Sequence, residues 1–234
     1  MQAISRTVSS CQTSKHKNLA SIVRRHLATK YKQPIRNFNV HIFKQIELIK
    51  NIYHAPVILD SGCGTGESTR LIAKKFPSSL VIGIDKSLHR LRRLGINEYN
   101  GFIHTDNYVL ARSNIVDFWR LAADASWQLQ KHFIFFPNPW PKPAHLRRRW
   151  HAHPVFPFII SLGGYLELRT NWEIYAQEFS TAITVITDQP VMSESYKPES
   201  SVSPFEKKYQ ASGQDLYRCK IYLGKSLLIN SRLK

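Results

Sequence analysis

Apolar and polar positions along this chain fall into blocks whose period changes in a regular way. Short apolar runs occur at Val57-Ile58-Leu59-Asp60, Leu80 to Asp85, Tyr108 to Ala111, His132 to Phe136 and Gly164 to Arg169. Each is too short for a core helix and reads as a buried strand. Between them lie stretches with helical spacing: Glu67 to Phe76, Ser87 to Glu98, Ile115 to Ala123, about 145–162 (interrupted by Pro154 and Pro157) and Asn171 to Ala182. Strand–helix alternation with short connections predicts a parallel sheet covered on both faces. Strands near 190–196 and 215–223 follow, joined by a Ser/Pro/Lys loop. With no helix expected between them, they predict an antiparallel hairpin at the sheet edge. Two helices, over about 16–30 and 39–52 with Pro34 between them, precede the first strand. Residues 1–15 are rich in Ser, Thr and Gln and are expected to be disordered. The expected organisation is a basic N-terminal arm with helices over 1–52 and an α/β domain over 53–234.

Charge changes the picture. The 234 residues carry 33 Lys+Arg against 16 Asp+Glu, a formal net charge of +17. Such an excess points to a polyanionic partner, nucleic acid first. The first acidic residue is Glu47, so the arm is wholly basic. It lacks the apolar core of a secretory signal and reads as a retained phosphate-binding arm, with a mitochondrial transit peptide as the alternative. Cys11, Cys63 and Cys219 have the spacing of neither a zinc site nor a disulfide framework. A reducing, cytoplasmic setting is therefore expected. No apolar run approaches the roughly 18 residues of a membrane span, so no membrane role is expected. His151 and His153 do not share a helix face, and no metal role is expected. A monomer or a homodimer fits the composition equally.

Two segments carry candidate chemistry. The first is Asp60-x-Gly62-x-Gly64-x-Gly66, between the first strand and the first helix of the alternation. Glycines allow a sharp turn and close approach of a ligand, and the helix N-terminus that follows points its N–H groups at that ligand. The third glycine comes one residue too early for a dinucleotide fingerprint, and no G-K-[ST] follows as in a phosphate loop. Asp85 ends the second strand, where an acid grips ribose hydroxyls in dinucleotide folds. Asp60 suits a cationic or amine-bearing ligand. Asn114, after the third strand, can hydrogen-bond an adenine edge or cap the next helix.

The second segment is Phe135-Phe136-Pro137-Asn138-Pro139-Trp140-Pro141-Lys142, followed by Arg147-Arg148-Arg149-Trp150. Prolines fix φ and remove donors, so this turn is stiff. It presents an amide, an indole and an ammonium at a strand end, beside three arginines. That set suits a nucleobase and neighbouring phosphates.

The D-x-G-x-G-x-G loop resembles the first motif of the seven-stranded S-adenosylmethionine methyltransferases. The proline-rich turn with its arginines resembles the F-F-P-D-P-W-x-K segment of the tRNA (guanine-N7-)-methyltransferase family. Arg24-Arg25, the stretch Gly163-Gly164 to Ala176, and Ser203-Pro204-Phe205-Glu206 resemble further elements of that family in the same order. The resemblance covers about residues 20–223. It implies a Rossmann-like seven-stranded sheet, mostly parallel with an antiparallel C-terminal hairpin. It also implies S-adenosylmethionine as cofactor, tRNA as partner, and methyl transfer to guanine N7 in the variable loop. Mapped by motif, donor contacts fall on Asp60, Gly62, Gly64, Gly66, Asp85 and Asn114, and the catalytic position on Asn138. Substrate contacts fall on Lys142, Asn171 and Ser203, Pro204, Phe205 and Glu206, with Arg147, Arg148 and Arg149 as phosphate contacts. The family carries Asp where this chain has Asn138 and Asn171. An Asn replaces a charge-assisted acceptor by a neutral one and adds a donor, which implies weaker activity or an altered target base. Two other readings compete: a non-catalytic tRNA-binding relative, and an exocyclic-amine methyltransferase using Asn138-Pro139-Trp140.

Overall fold

The structure, a computed structural model, describes residues 5–97 and 99–224. Its chain order is α1 (Leu19–Ala28), α2 (Asn37–Tyr53), β1 (Val57–Ser61), α3 (Glu67–Lys75), β2 (Leu80–Asp85), α4 (Leu88–Leu91), β3 (Phe102–Thr105), β4 (Tyr108–Arg112) and α5 (Ile115–Asp124). There follow β5 (Lys131–Phe135), α6 (Phe156–Ser161), β6 (Gly164–Thr170), α7 (Glu173–Thr187), β7 (Ser193–Tyr196), α8 (Pro204–Ala211) and β8 (Leu216–Leu223). The strands form one sheet in the order β3-β4-β2-β1-β5-β6-β8-β7. From β4 through β6 every pairing is parallel, whereas β3–β4, β6–β8 and β8–β7 are antiparallel.

β1 and β2 are buried at every position because helices cover both faces. Neighbouring residues on a strand enter opposite layers. Leu59 packs with α1, α2, α5 and α7 residues such as Val23, Ile46, Phe118 and Phe179, while Ile58 packs with Ile72, Phe133 and Tyr196. The two N-terminal helices thus share the main core instead of forming a separate appendage.

Five expectations are corrected. The stretch 145–162 is not one helix: 3₁₀ turns span Pro143–Arg148 and Trp150–Ala152, and α6 starts only at Phe156. The stretch from 87 does not run as one helix: α4 ends at Leu91, a 3₁₀ turn spans Arg92–Leu94, and Gly95 turns left-handed at φ 82. Glu98, its expected end, lies outside the described residues. β3 is an added edge strand, joined to β4 by the two-residue turn Asp106-Asn107. The last two strands do pair antiparallel, but α8 stands between them, begun by the Ser203 hydroxyl accepting the Glu206 N–H at 3.2 Å. Finally, residues 5–18 are not loose. They run extended across the domain on specific hydrogen bonds, among them Ser5 N–H to Ser212 Oγ at 2.9 Å and Ser10 Oγ to the Pro141 carbonyl at 2.6 Å. Residues 1–4 lie outside the described residues.

Candidate functional site at the C-terminal sheet edge

The parallel strands β1, β2, β4, β5 and β6 all end at one edge, and the crossovers diverge between β1 and β5. Ligands of open α/β sheets bind at such a switch point. β1 delivers Ser61 to Gly66 there, β2 Asp85, β4 Asn114, β5 the 136–142 turn and β6 Asn171. β8 runs the other way, so α8, which precedes it, also lies at this edge.

In the glycine loop, Gly62 and Cys63 donate their N–H groups to the Ile84 carbonyl at 2.8 and 3.1 Å, which ties β1 to β2. Gly64 has φ +59, and a Cβ built on it meets nothing within 4 Å. Backbone conformation requires glycine there, and the space before it is open. Gly66 has the other reason: a Cβ would stand 2.6 Å from the Leu110 side chain, so its absence lets α3 start close to β4. Asp85 is 5% exposed. Its Oδ2 accepts from Gly64 N–H at 3.0 Å and its Oδ1 from Ser87 N–H at 2.7 Å. Oδ2 also accepts from the Arg90 guanidinium at 3.4 Å, so the second lone pair of Oδ1 is the one left for a ligand hydroxyl. Asp60 lies beneath the loop, its Oδ2 accepting from Ser68 Oγ at 2.6 Å and Thr69 Oγ1 at 2.7 Å. Burial pushes its carboxyl up to about 6, Ser68 and Thr69 act against this, and the Asp85 charge adds to it. Asn114 caps α5, its Oδ1 accepting from Val116 N–H at 3.0 Å, which leaves its NH₂ group for a base edge. An open glycine cradle, a ribose-height carboxylate and an amide on three adjacent strands fit a cationic nucleoside.

The second half of the site is the turn after β5. Phe136 and Trp140 both hold positive φ, 48° and 46°, which costs about 1–3 kcal/mol for such side chains and marks an over-determined turn. Asn138 is exposed, and its Oδ1 accepts from Trp140 N–H at 3.3 Å in an Asx turn. The Arg148 guanidinium lies over the Trp140 ring at 4.7 Å. Lys142, Arg147 and Arg148 are exposed.

Arg149 is different and corrects the expectation of a third phosphate contact. Its side chain is fully buried and donates to Glu178 Oε2 on α7 at 2.5 Å. It also donates to the Trp140 carbonyl at 3.2 Å, the Lys142 carbonyl at 3.4 Å and Gln12 Oε1 at 2.9 Å. Its guanidinium stacks on Trp172 at 4.7 Å. Burial alone would raise the Glu178 carboxyl, yet the His151 hydrogen bond and the nearby positive charge hold it down to about 2. Burial lowers His151 itself, so Arg149 is the cation of this buried pair.

The Ser203–Glu206 element is also divided. Ser203 and Glu206 are buried: Ser203 caps α8, and Glu206 accepts from Arg169, Tyr196 and the Val202 N–H. They shape the segment and do not face a substrate. Pro204 and Phe205 are exposed, and Phe205 stacks on Tyr209, whose ring packs 5.3 Å from Phe136. Asn171 donates to Gln214 Oε1 at 2.9 Å. The edge therefore brings together Asp85, Asn114, Asn138, Lys142, Arg147, Arg148, Asn171 and Phe205.

Sequence reading missed Gln12, Asn39, Arg169 and Glu178. Asn39 on α2 accepts from Ser113 Oγ and Asn114 N–H and donates to Asp117 at 2.6 Å, fixing the β4 end. Nothing local flagged these residues. The one available signal was Ser203-Pro204-x-Glu206, a helix-start pattern that predicts α8.

A family described as "Putative methyltransferase" matches residues 54–219. The tRNA (guanine-N(7)-)-methyltransferase of Neisseria meningitidis serogroup C is 32% identical over 168 residues, 69% of this chain and 67% of that protein. The enzyme of the same name from Bordetella pertussis is 29% identical over 172 residues, 68% of this chain and 62% of its own length. Among solved structures, the 16S rRNA methyltransferase KamB superposes with a TM-score of 0.52 at 15% identity, over 82% of this chain and 95% of that one. That last likeness is one of fold.

Proposed function

The chain belongs to the tRNA (guanine-N7-)-methyltransferase family, and on that premise we propose that it methylates N7 of a guanine in the variable loop of tRNA. It is an S-adenosylmethionine-dependent methyltransferase. The observation that carries the finer reading is the pairing of two loops on adjacent strands. The open Gly62–Gly66 cradle follows β1, and the Asn138–Lys142 turn with its exposed arginines follows β5.

Bound in the cradle, S-adenosylmethionine supplies an electrophilic methyl on a sulfonium. The residues of the chain do the rest. Asp85 is aimed by Gly64 and Ser87 to hold ribose hydroxyls. Asn114 offers its amide NH₂ to the adenine edge. Guanine N7 carries a lone pair and no proton, so the site needs alignment and no general base, and alignment supplies much of such a rate. Asn138, its Oδ1 engaged by the Trp140 N–H, presents its amide group to the target base. Phe205 gives a ring face for stacking. Lys142, Arg147 and Arg148 meet the phosphates on either side.

A tRNA transcript carrying 7-deazaguanine in place of guanine tests this. It keeps the Watson–Crick edge of guanine but lacks the nitrogen in question. Labelled methyl enters the unmodified transcript and fails to enter the 7-deaza one. Equal labelling of both would move the target to an exocyclic amine, the reading that Asn138-Pro139-Trp140 resembles.

A further inference from the structure

The N-terminal segment that composition marks as loose touches three separate parts of the substrate half of the site. Ser10 Oγ donates to the Pro141 carbonyl inside the turn at 2.6 Å. Ser5 bridges to the end of α8, its N–H on Ser212 Oγ at 2.9 Å and its carbonyl on Gln214 Nε2 at 2.8 Å. Gln214 in turn accepts from Asn171 at 2.9 Å. Between these contacts Gln12 enters the buried ion pair. Its Nε2 donates to Glu178 Oε1 at 2.7 Å and its Oε1 accepts from Arg149 at 2.9 Å. The His16 N–H adds a further bond to Glu178 Oε1 at 2.8 Å.

Arg149 has five N–H donors in a fixed fork. Here four of them go to Glu178, Gln12 and the carbonyls of Trp140 and Lys142. One of those carbonyls belongs to the strained left-handed Trp140 itself and the other to Lys142, two and four residues beyond Asn138. A turn with two side-chain-bearing residues at positive φ persists only where its surroundings over-determine it. The guanidinium is the charged clamp that does so. Gln12 satisfies one of its donors and, together with the His16 N–H, the second oxygen of its carboxylate partner. A buried charge with an unmet donor is costly, so loss of Gln12 loosens the clamp even though Gln12 touches no substrate.

We infer that residues 5–16 are a built wall of the substrate site, with Arg149 and Gln12 as positioning residues that fix the Asn138–Lys142 turn. Arg149 is thereby removed from the phosphate-binding set and given a different task. The inference rests on the proposed methyl transfer for its kinetic consequence, but not for its structural one.

The test uses the full-length chain with Gln12→Ala and, separately, Ser10→Ala. Hydrogen exchange read by mass spectrometry follows the 138–149 amides. Exchange there is expected to quicken about tenfold in Gln12→Ala while the β1 and β2 amides keep wild-type rates. Calorimetric affinity for S-adenosylmethionine stays within about twofold, and kcat for tRNA methylation falls about ten- to a hundredfold with KM little changed. Ser10→Ala shows the same pattern more weakly. Wild-type exchange over 138–149 in both variants overturns the inference. Uniformly faster exchange across the sheet overturns it too, since the segment then stabilises the fold generally. If wild type methylates no tRNA while exchange over 138–149 still quickens, the substrate reading fails and the structural inference stands.

Discussion

Asp85 Oδ2 accepts the Gly64 N–H at 3.0 Å, so the carboxylate at the end of β2 is locked to the glycine loop that follows β1. With the Gly62 and Cys63 N–H bonds to the Ile84 carbonyl, this contact joins the two halves of the donor cradle. Asp85→Ala removes the ribose acceptor and frees the loop. Calorimetry should show S-adenosylmethionine affinity reduced by about ten- to a hundredfold, since a charge-assisted bond contributes about 1.5–3 kcal/mol. Undiminished affinity would show that Asp85 serves the loop alone.

Asp60 sets a pH dependence for the same cradle. Its carboxyl is pushed up to about 6, chiefly by burial. It is therefore neutral below that pH and anionic above it. A cationic donor should bind more tightly as pH rises through about 6, and Asp60→Asn should flatten the profile. Calorimetry at pH 5 and pH 7.5 measures both. A flat wild-type profile would remove Asp60 from donor binding.

Glu178 governs acid stability. Its folded value of about 2 lies below the ordinary 4.5, so its contribution is present above pH 4.5 and lost as pH falls through about 2. The stability difference between wild type and Glu178→Gln should shrink by up to about 3 kcal/mol over that window. Near neutrality the variant should be about 3–5 kcal/mol less stable, because it strands the buried Arg149. Denaturant melts at pH 7 and pH 3 read both effects.

Much of this architecture is legible in the sequence because the central strands are buried on both faces. Val57 to Asp60 and Leu80 to Asp85 read as strands with nearly the observed bounds, and Asn114 as a helix cap. The misses lie where local pattern and tertiary role part company. β3 is only partly buried, so its apolar signal is weak, and the Asp106-Asn107 turn that closes its hairpin escaped notice. Arg147, Arg148 and Arg149 are indistinguishable as a string, yet one is buried at 0% exposure and two are exposed. What separates them is Glu178, 29 positions away, and Gln12, 137 positions away, and no spacing rule reports partners at such separations. The same distance hides the order of the N-terminal segment.

Arg147 and Arg148 should dominate the electrostatics of tRNA binding. Both project into solvent beside the turn. Arg147→Ala with Arg148→Ala should lower the slope of log affinity against log salt by about one per arginine. Donor binding should be untouched. Filter binding between low and physiological salt gives the slope, and an unchanged slope would place the tRNA on another face.

Asn138 falls, by the resemblance of its motif, where the family's F-F-P-D-P-W-x-K segment has Asp. In Asn138→Asp the carboxylate gains a charge for the guanine N1–H and N2–H₂ donors, and methyl transfer to tRNA should rise several-fold, as expected from replacing a neutral contact by a charge-assisted one. Single-turnover assays with labelled donor check this. A loss would indicate that the Asn amide itself recognises the target base.

Guanine N7 in tRNA is the proposed acceptor of the methyl group. Incubating unmodified tRNA with the protein and isotopically labelled S-adenosylmethionine, then resolving the digested nucleosides by mass spectrometry, tests it directly. Label is expected in 7-methylguanosine. Label in an N-methylated adenosine, cytidine or guanosine amine, or in no nucleoside at all, would contradict it.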